Sequence, residues 1–212
     1  MYGKTTMEKY EGIKFRFTQV SKSFIPDQQL KNLNLWAFLF AQLGLTPIHQ
    51  DGAYGNQSYR RGKSSFLITI SGMIPVKPLV TDNFCHIKKY DSGNKVFFTE
   101  GKNPPSSESF LHNSIYQEYP DINTILHGHS SLLETHAKTL NIPVTDSFYD
   151  YGTQELADSA LRLIDDTTRF FILKNHGFVA LGHDIDSTGI LTLDYLKKLI
   201  SILQTCPSKV VA

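Results

Sequence analysis

The chain has 212 residues, 41% hydrophobic and 19% charged, with 14 Gly, 9 Pro and 2 Cys, a globular composition that excludes a disordered or collagenous chain. Its 21 Lys and Arg against 20 Asp and Glu leave a formal net charge of +1, which excludes general affinity for nucleic acid or an anionic membrane and leaves room only for a local anion pocket. Cys85 and Cys206 stand far apart with no other cysteine, so a disulfide framework and a CxxC metal site are excluded too, and a reducing cytoplasm is the expected location.

Residues 1 to 26 are aromatic and basic without helical periodicity and are expected to form an N-terminal arm with at most a short strand, of the kind that often packs on a neighbour. Pro26-Asp27 then opens a helix in which Leu30, Leu33, Leu35, Phe38, Leu39 and Leu43 recur at helical spacing, with Gly44 as its left-handed cap. The apolar run at 35 to 45 is too short to span a bilayer and too far from the start for a signal peptide. From 53 to 100 the pattern turns to strands: Asn56 to Arg60, then 65–70, 83–87 and 95–98, separated by turns at Gly62, Gly72 and Asp91-Ser92-Gly93. A helix is expected from the PPSSE run, with Ser106 as N-cap and Phe110, Leu111, Ile115 and Tyr116 buried, ending at Pro120.

INTILHGH at 122–129 reads as a buried strand with a polar end, and Ser130 caps a helix carrying Leu132, Leu133, His136, Ala137 and Leu140. Thr153 caps another, before RFFILKNHG at 169–177 gives a second apolar strand that GFVALG continues or returns. The last helix, about 187 to 204, is expected to turn Ile190, Leu193, Leu196, Ile200 and Leu203 inward, and the tail beyond it to fray. No repeat, charge block or linker interrupts this order, so a single domain is expected over 1–212. The cluster of strands at 53–100 argues for a mainly antiparallel sheet covered by helices.

His127 and His129 lie at i and i+2, which places both imidazoles on one face of a strand. An HxH at a strand end is often chance, so metal binding needs a third donor. His176 closes the second apolar strand beside Gly177, and if the strand ends converge, three neutral imidazoles suit Zn²⁺ with an open position. His49, His86, His112, His136 and His183 have no such spacing and are assigned to packing or surface, with His112 singled out because it follows Glu108 by four residues. Glu108 near a helix start is either a dipole-complementing carboxylate or a proton-moving group beside an anion pocket of Ser106, Ser107 and free backbone N–H groups. GNQSYR at 55–60 and TISG at 69–72 are either plain turns or small-donor phosphate cradles, and a Walker loop is absent.

Taken in order, GNQSYR (55–60), FLITISG (66–72), EGKNPPSSESFLH (100–112), ILHGHS (125–130) and LKNHGFVALG (173–182) resemble the class II aldolase/adducin family over about residues 27 to 203. The resemblance implies an α/β fold, a single three-layer α/β/α domain around a mostly antiparallel central sheet, assembled as a homotetramer. It implies that His127, His129 and His176 hold a catalytic Zn²⁺, that Glu108 is the acid/base, and that Asn56, Ser71, Gly72, Ser106 and Ser107 bind the substrate phosphate, with Ser58 and Arg60 completing the first motif. The implied reaction is reversible cleavage of a small ketose phosphate through a dihydroxyacetone phosphate enediolate. For Glu108 to serve as base, burial is expected to raise its pKa.

Two departures stand out. The stretch between the HxH motif and the helix capped by Thr153 is shorter than in the sugar-phosphate aldolases, which carry a proton-donating tyrosine there; Tyr149 and Tyr151 are the nearby candidates, against a plain packing role for both. No tyrosine follows Tyr195 in the tail. Competing readings are another carbon-acid reaction on the same metal platform, namely epimerisation, dehydration or decarboxylation, and an adducin-like interaction module without chemistry. The family's epimerases place Asp where this chain has Glu108, and adducin-type relatives have lost metal ligands that this chain keeps.

Overall fold

The computed structural model describes residues 12–205; the start of the arm, Cys206 and the tail expected to fray lie outside them. In chain order the elements are β1 (Arg16–Ser21), α1 (Gln28–Gln42), β2 (Ile48–His49), β3 (Gly52–Ala53), β4 (Asn56–Gly62), β5 (Ser65–Thr69), β6 (Phe84–Asp91), β7 (Val96–Glu100) and α2 (Ser109–Glu118). There follow β8 (Thr124–Gly128), α3 (Ser131–Thr135), α4 (Gln154–Leu161), β9 (Phe170–Leu173), β10 (Gly177–Gly182) and α5 (Ile185–Thr205).

Eight strands form one sheet in the order β1-β7-β6-β5-β4-β8-β10-β9. Every pair is antiparallel except β1 with β7. The described part of the arm therefore pairs with this chain's own sheet, as a parallel edge strand. Alternation along the strands builds two cores. Leu67, Leu126, Phe178 and Ala180 pack with Leu30, Leu33, Trp36 and Phe40 of α1 and with α3 and α5. Phe66, Ile68, Ile125, Val179 and Leu181 pack on the other face with Leu111 and Ile115 of α2 and Leu156 and Ala160 of α4. Period-two side-chain placement thus yields the expected three-layer α/β/α arrangement. No helix among the described residues is long and apolar enough to cross a membrane.

Helix phases differ from the sequence expectation in places. Leu35 of α1 and its cap residue Leu43 are exposed, because Leu30, Leu33, Ala37 and Phe40 set the inward stripe. In α5, Leu193 and Leu196 pack on the core as expected, but Ile190, Ile200 and Leu203 face outward. The helix instead turns Ile185, Thr188, Gly189, Thr192 and Leu199 inward, because the Trp36 indole lies against Gly189 where a Cβ would stand. Small residues are what close packing selects here, and a count of leucines misplaces the stripe. α3 ends after five residues, with Ser130 accepting from Leu133 N–H as expected and Leu132 exposed.

Asp27 joins three elements. Its Oδ1 accepts from the Gln29 and Leu30 N–H groups at 3.0 and 3.3 Å and from the buried Tyr59 hydroxyl at 2.6 Å, and its Oδ2 lies 3.1 Å from Arg61 Nε. Asp27→Ala removes a helix cap and strands a buried phenol, so a loss of about 2 kcal/mol or more is expected. Urea unfolding checks this, and a change below about 0.5 kcal/mol, the size of an ordinary surface substitution, would contradict it.

Candidate active site

Asn56, Ser58 and Arg60 share the α2-facing side of β4, and Asn56 lies directly opposite His127 in the ladder. On β8 the same face holds Ile125 and then His127, with His129 just beyond the strand end. β10 pairs with β8 on its other edge, and the turn before it brings in His176. A side chain at Gly177 would collide with the Gly128 carbonyl and stand 3.0 Å from His127 Cε1, so glycine lets the two strand ends close. Ligand atoms of His127, His129 and His176 all lie within 4.8 Å of one another, and His127 and His176 stack with ring centroids 5.2 Å apart.

The set fits a divalent cation on two observations. His127 Nδ1 donates to the Phe178 carbonyl at 2.7 Å, which fixes the tautomer and turns the Nε2 lone pair toward the cluster. That Nε2 is buried and makes no hydrogen bond, although Glu108 Oε2 lies 3.1 Å away, off the line such a bond requires. Burial, then repulsion by His127 and His176, holds the His129 imidazole well below its usual pKa, in the neutral form that ligates.

Glu108 departs from its expected place in a helix turn. α2 begins at Ser109, and Glu108 is the preceding cap residue, with no side-chain capping bond. The Ser106 hydroxyl accepts from Glu108 N–H at 3.3 Å, and the carboxylate turns to the histidines, 3.0 Å from His176 Nε2 and 2.6 Å from Asn56 Nδ2. Burial opposes its ionisation, but when His127 and His176 are protonated their attraction and hydrogen bonds outweigh burial and hold the carboxyl well below the usual carboxylate range. The expected rise by burial is therefore offset wherever these histidines carry charge, and burial acts alone once they are neutral, as ligation requires.

A cavity of about 390 Å³ opens beside this cluster, and Asn56, Ser71, Gly72, Ser106 and Ser107 all line it. A short antiparallel bridge gathers them. Ile70 pairs with Pro105, Ser71 N–H donates to the Pro104 carbonyl, and Ser106 N–H donates to the Thr69 carbonyl. Gly72, at φ +69°, lies where a Cβ would come within 2.8 Å of the Asp51 carbonyl, so the close crossing of these two loops requires glycine.

Ser58 and Arg60, expected to complete the first motif, lie outside the cavity lining. Ser58 Oγ lies 2.7 Å from both His112 Nδ1 and Tyr116 OH. Arg60 donates to the Ile122, Tyr116 and Tyr119 carbonyls, clamping the end of α2. His112 is fully buried, and burial first of all pushes its pKa down to about 3. His49, assigned to packing or surface, instead lines the cavity and packs at a tilt against Tyr54, whose ring lies 5.2 Å from that of His129. Of the two candidate tyrosines, Tyr151 is buried and lines the cavity, whereas Tyr149 packs among the α2 and α4 residues. Tyr54, Asp51, Glu134 and Asn175 also line it. Asn175 and Glu134 carried a usable signal, since one precedes His176 and the other follows His129 on the next helix. Tyr54 and Asp51 carried none beyond their closeness to Gly55.

A sheet whose strand ends gather three imidazoles and a carboxylate above a cradle of small donors has the architecture of the class II aldolases. The chain belongs to that family: the model of the Class II Aldolase and Adducin N-terminal domain matches residues 38–199. It is 30% identical over 149 residues to the L-fuculose phosphate aldolase of Methanocaldococcus jannaschii, covering 63% of this chain and 75% of that one. It is 25% identical over 156 residues to the methylthioribulose-1-phosphate dehydratase of Methylococcus capsulatus, covering 62% and 73%. Among solved structures, an L-fuculose 1-phosphate aldolase superposes with a TM-score of 0.64 over 84% of this chain and 85% of that one, at 23% identity, a likeness of fold.

Proposed function

We propose that this chain, acting as one domain over 1–212, is a zinc-dependent aldolase that reversibly cleaves a small ketose phosphate to dihydroxyacetone phosphate and an aldehyde. The observation that carries the proposal is the Glu108 carboxylate set 3.0 and 3.1 Å from two members of the histidine cluster, at the edge of a cavity lined by small neutral donors. His127, His129 and His176 would hold the ion, and three imidazoles with an open position suit Zn²⁺. When bound, such a cation supplies Lewis-acid polarisation of substrate oxygens.

The chain's own groups divide the remaining work. Ser71, Ser106, Ser107, Asn56 and the Gly72 backbone bind and orient the phosphate with uncharged donors. In the condensing direction Glu108 accepts the proton from the hydroxymethyl carbon of dihydroxyacetone phosphate, and the freed electron pair forms the bond to the aldehyde carbon. The aldehyde oxygen takes up a proton, and its donation is assigned to Tyr151, which lines the cavity. In cleavage each transfer reverses, and Glu108 returns its proton to carbon.

Dehydration is the second reading, favoured by the dehydratase relative, and it too begins with a proton taken from carbon. Elemental analysis of the purified protein, followed by deuterium exchange into dihydroxyacetone phosphate, tests the proposal without knowledge of the aldehyde. About one zinc per chain with stereospecific exchange abolished by EDTA supports it; metal without exchange moves the assignment to the dehydratase reading, and no metal favours an interaction module.

Ser107→Ala is expected to raise KM for phosphorylated substrates roughly tenfold or more, the cost of one hydrogen bond to a charged group. Equal effects on phosphorylated and unphosphorylated substrates would remove Ser107 from the phosphate pocket. A cytoplasmic homotetramer completes the proposal; exposed Leu35, Leu43, Ile190 and Ile200 supply apolar surface for assembly.

A further inference from the structure

The cavity has two sides, set by sheet order. β4 and the end of β5 bring Asn56, Ser71 and Gly72 to one flank of β8; α3 and the turn before β10 bring Glu134 and Asn175 to the other. Glu134 Oε1 accepts the Asn175 N–H at 2.5 Å, holding Asn175 in the left-handed region at φ +57° directly before His176. The carboxylate keeps further lone pairs for the cavity, where Ser130 and Ser131 stand on the same helix start. Asp51, Glu108 and Glu134 all line the cavity, and among its described lining residues there is no Lys or Arg.

We propose that Glu134 is a specificity-determining residue for the aldehyde partner, favouring an acceptor that carries a hydroxyl or other hydrogen-bond donor and rejecting one that carries a carboxylate. The inference rests on the aldolase reading and adds to it the chemistry of the second substrate. With the phosphate held by neutral donors on the β4–β5 flank, the rest of the substrate extends across the histidines toward Glu134. A hydroxyl arriving there finds a charged acceptor, and a charge-assisted bond of that kind is stronger than a neutral one. A carboxylate arriving at Glu134 meets like charge with no Lys or Arg in the described lining to offset it, and a single charge a few ångströms away through partly screened protein is enough for about tenfold discrimination.

Glu134→Gln separates this role from a purely structural one, because the amide oxygen still accepts the Asn175 N–H while the charge is gone. The zinc-loaded enzyme is assayed for condensation of dihydroxyacetone phosphate with glycolaldehyde and with glyoxylate. The wild type is expected to favour glycolaldehyde in kcat/KM. In Glu134→Gln that preference is expected to shrink about tenfold, chiefly through a lower KM for glyoxylate. An unchanged ratio in the variant, or a wild type that takes both aldehydes equally well, overturns the assignment of Glu134. Wild-type deuterium exchange, which needs no aldehyde, is run alongside: its absence overturns the aldolase reading and this inference with it, whereas exchange with an unmoved ratio overturns the inference alone.

Discussion

Glu108→Gln is expected to abolish deuterium exchange into dihydroxyacetone phosphate and to lower turnover by about 10²–10⁴, the usual worth of a positioned acid/base, while metal content stays at the wild-type level. The buried carboxylate makes its contacts with Asn56, His127 and His176 through side-chain oxygens, and an amide of the same shape fills the same space. Asn56 can rotate to meet it, since its own buried Oδ1 has no hydrogen-bond partner. What the amide cannot do is hold a proton from carbon. Exchange at the wild-type rate would remove Glu108 from its proposed role. Loss of metal together with exchange would show instead that the carboxylate matters mainly for holding the ion.

His127→Ala should remove both metal and activity. His127 is wholly buried, its Nδ1 is committed to the Phe178 carbonyl and its Nε2 faces the cluster. Deleting it takes away one of three donors, and metal affinity is expected to fall by more than about a hundredfold, the upper end of what loss of an outer-shell partner alone costs. The cavity left in the core also threatens folding, so His127→Gln serves as a bulk-preserving companion and circular dichroism checks that both variants fold. Stoichiometric metal and normal turnover in a folded variant would sink the three-histidine site.

Much of the candidate site was legible because its residues sit at positions where local rules are strict. His127 and His129 share a face since a strand repeats every two residues, and the alternation of Leu126 against Ile125 fixes which face that is. Gly177 beside His176 advertised a close approach that the collision with Gly128 bears out. Ser106 and Ser107 were legible as small donors near a helix start, though the helix begins later than its residues suggested because the PPSS segment is held against the end of β5 by the Ile70–Pro105 bridge.

The remainder depended on contacts between distant segments, which local pattern does not encode. Arg60 follows Asn56 on the same face but reaches the carbonyls at the end of α2. His49 comes to the cavity because β2 and β3 fold the loop back beneath Tyr54. The inward face of α5 was misjudged at Ile190, Ile200 and Leu203, though Leu193 and Leu196 do pack on the core, because Trp36 selects Gly189, a residue that carries no hydrophobic signal.

By itself, then, the sequence determined the succession of strands and helices, the antiparallel character of the sheet and the convergence-ready histidine pattern, since each follows from periodicities and turn chemistry within a few residues. That Glu108 faces the histidines rather than solvent, and that Glu134 lines the far side of the cavity, emerges only once the chain is folded. Those outcomes are set by distances across strand ends that lie far apart in the chain, and charge interactions depend on such distances and on burial rather than on spacing along it.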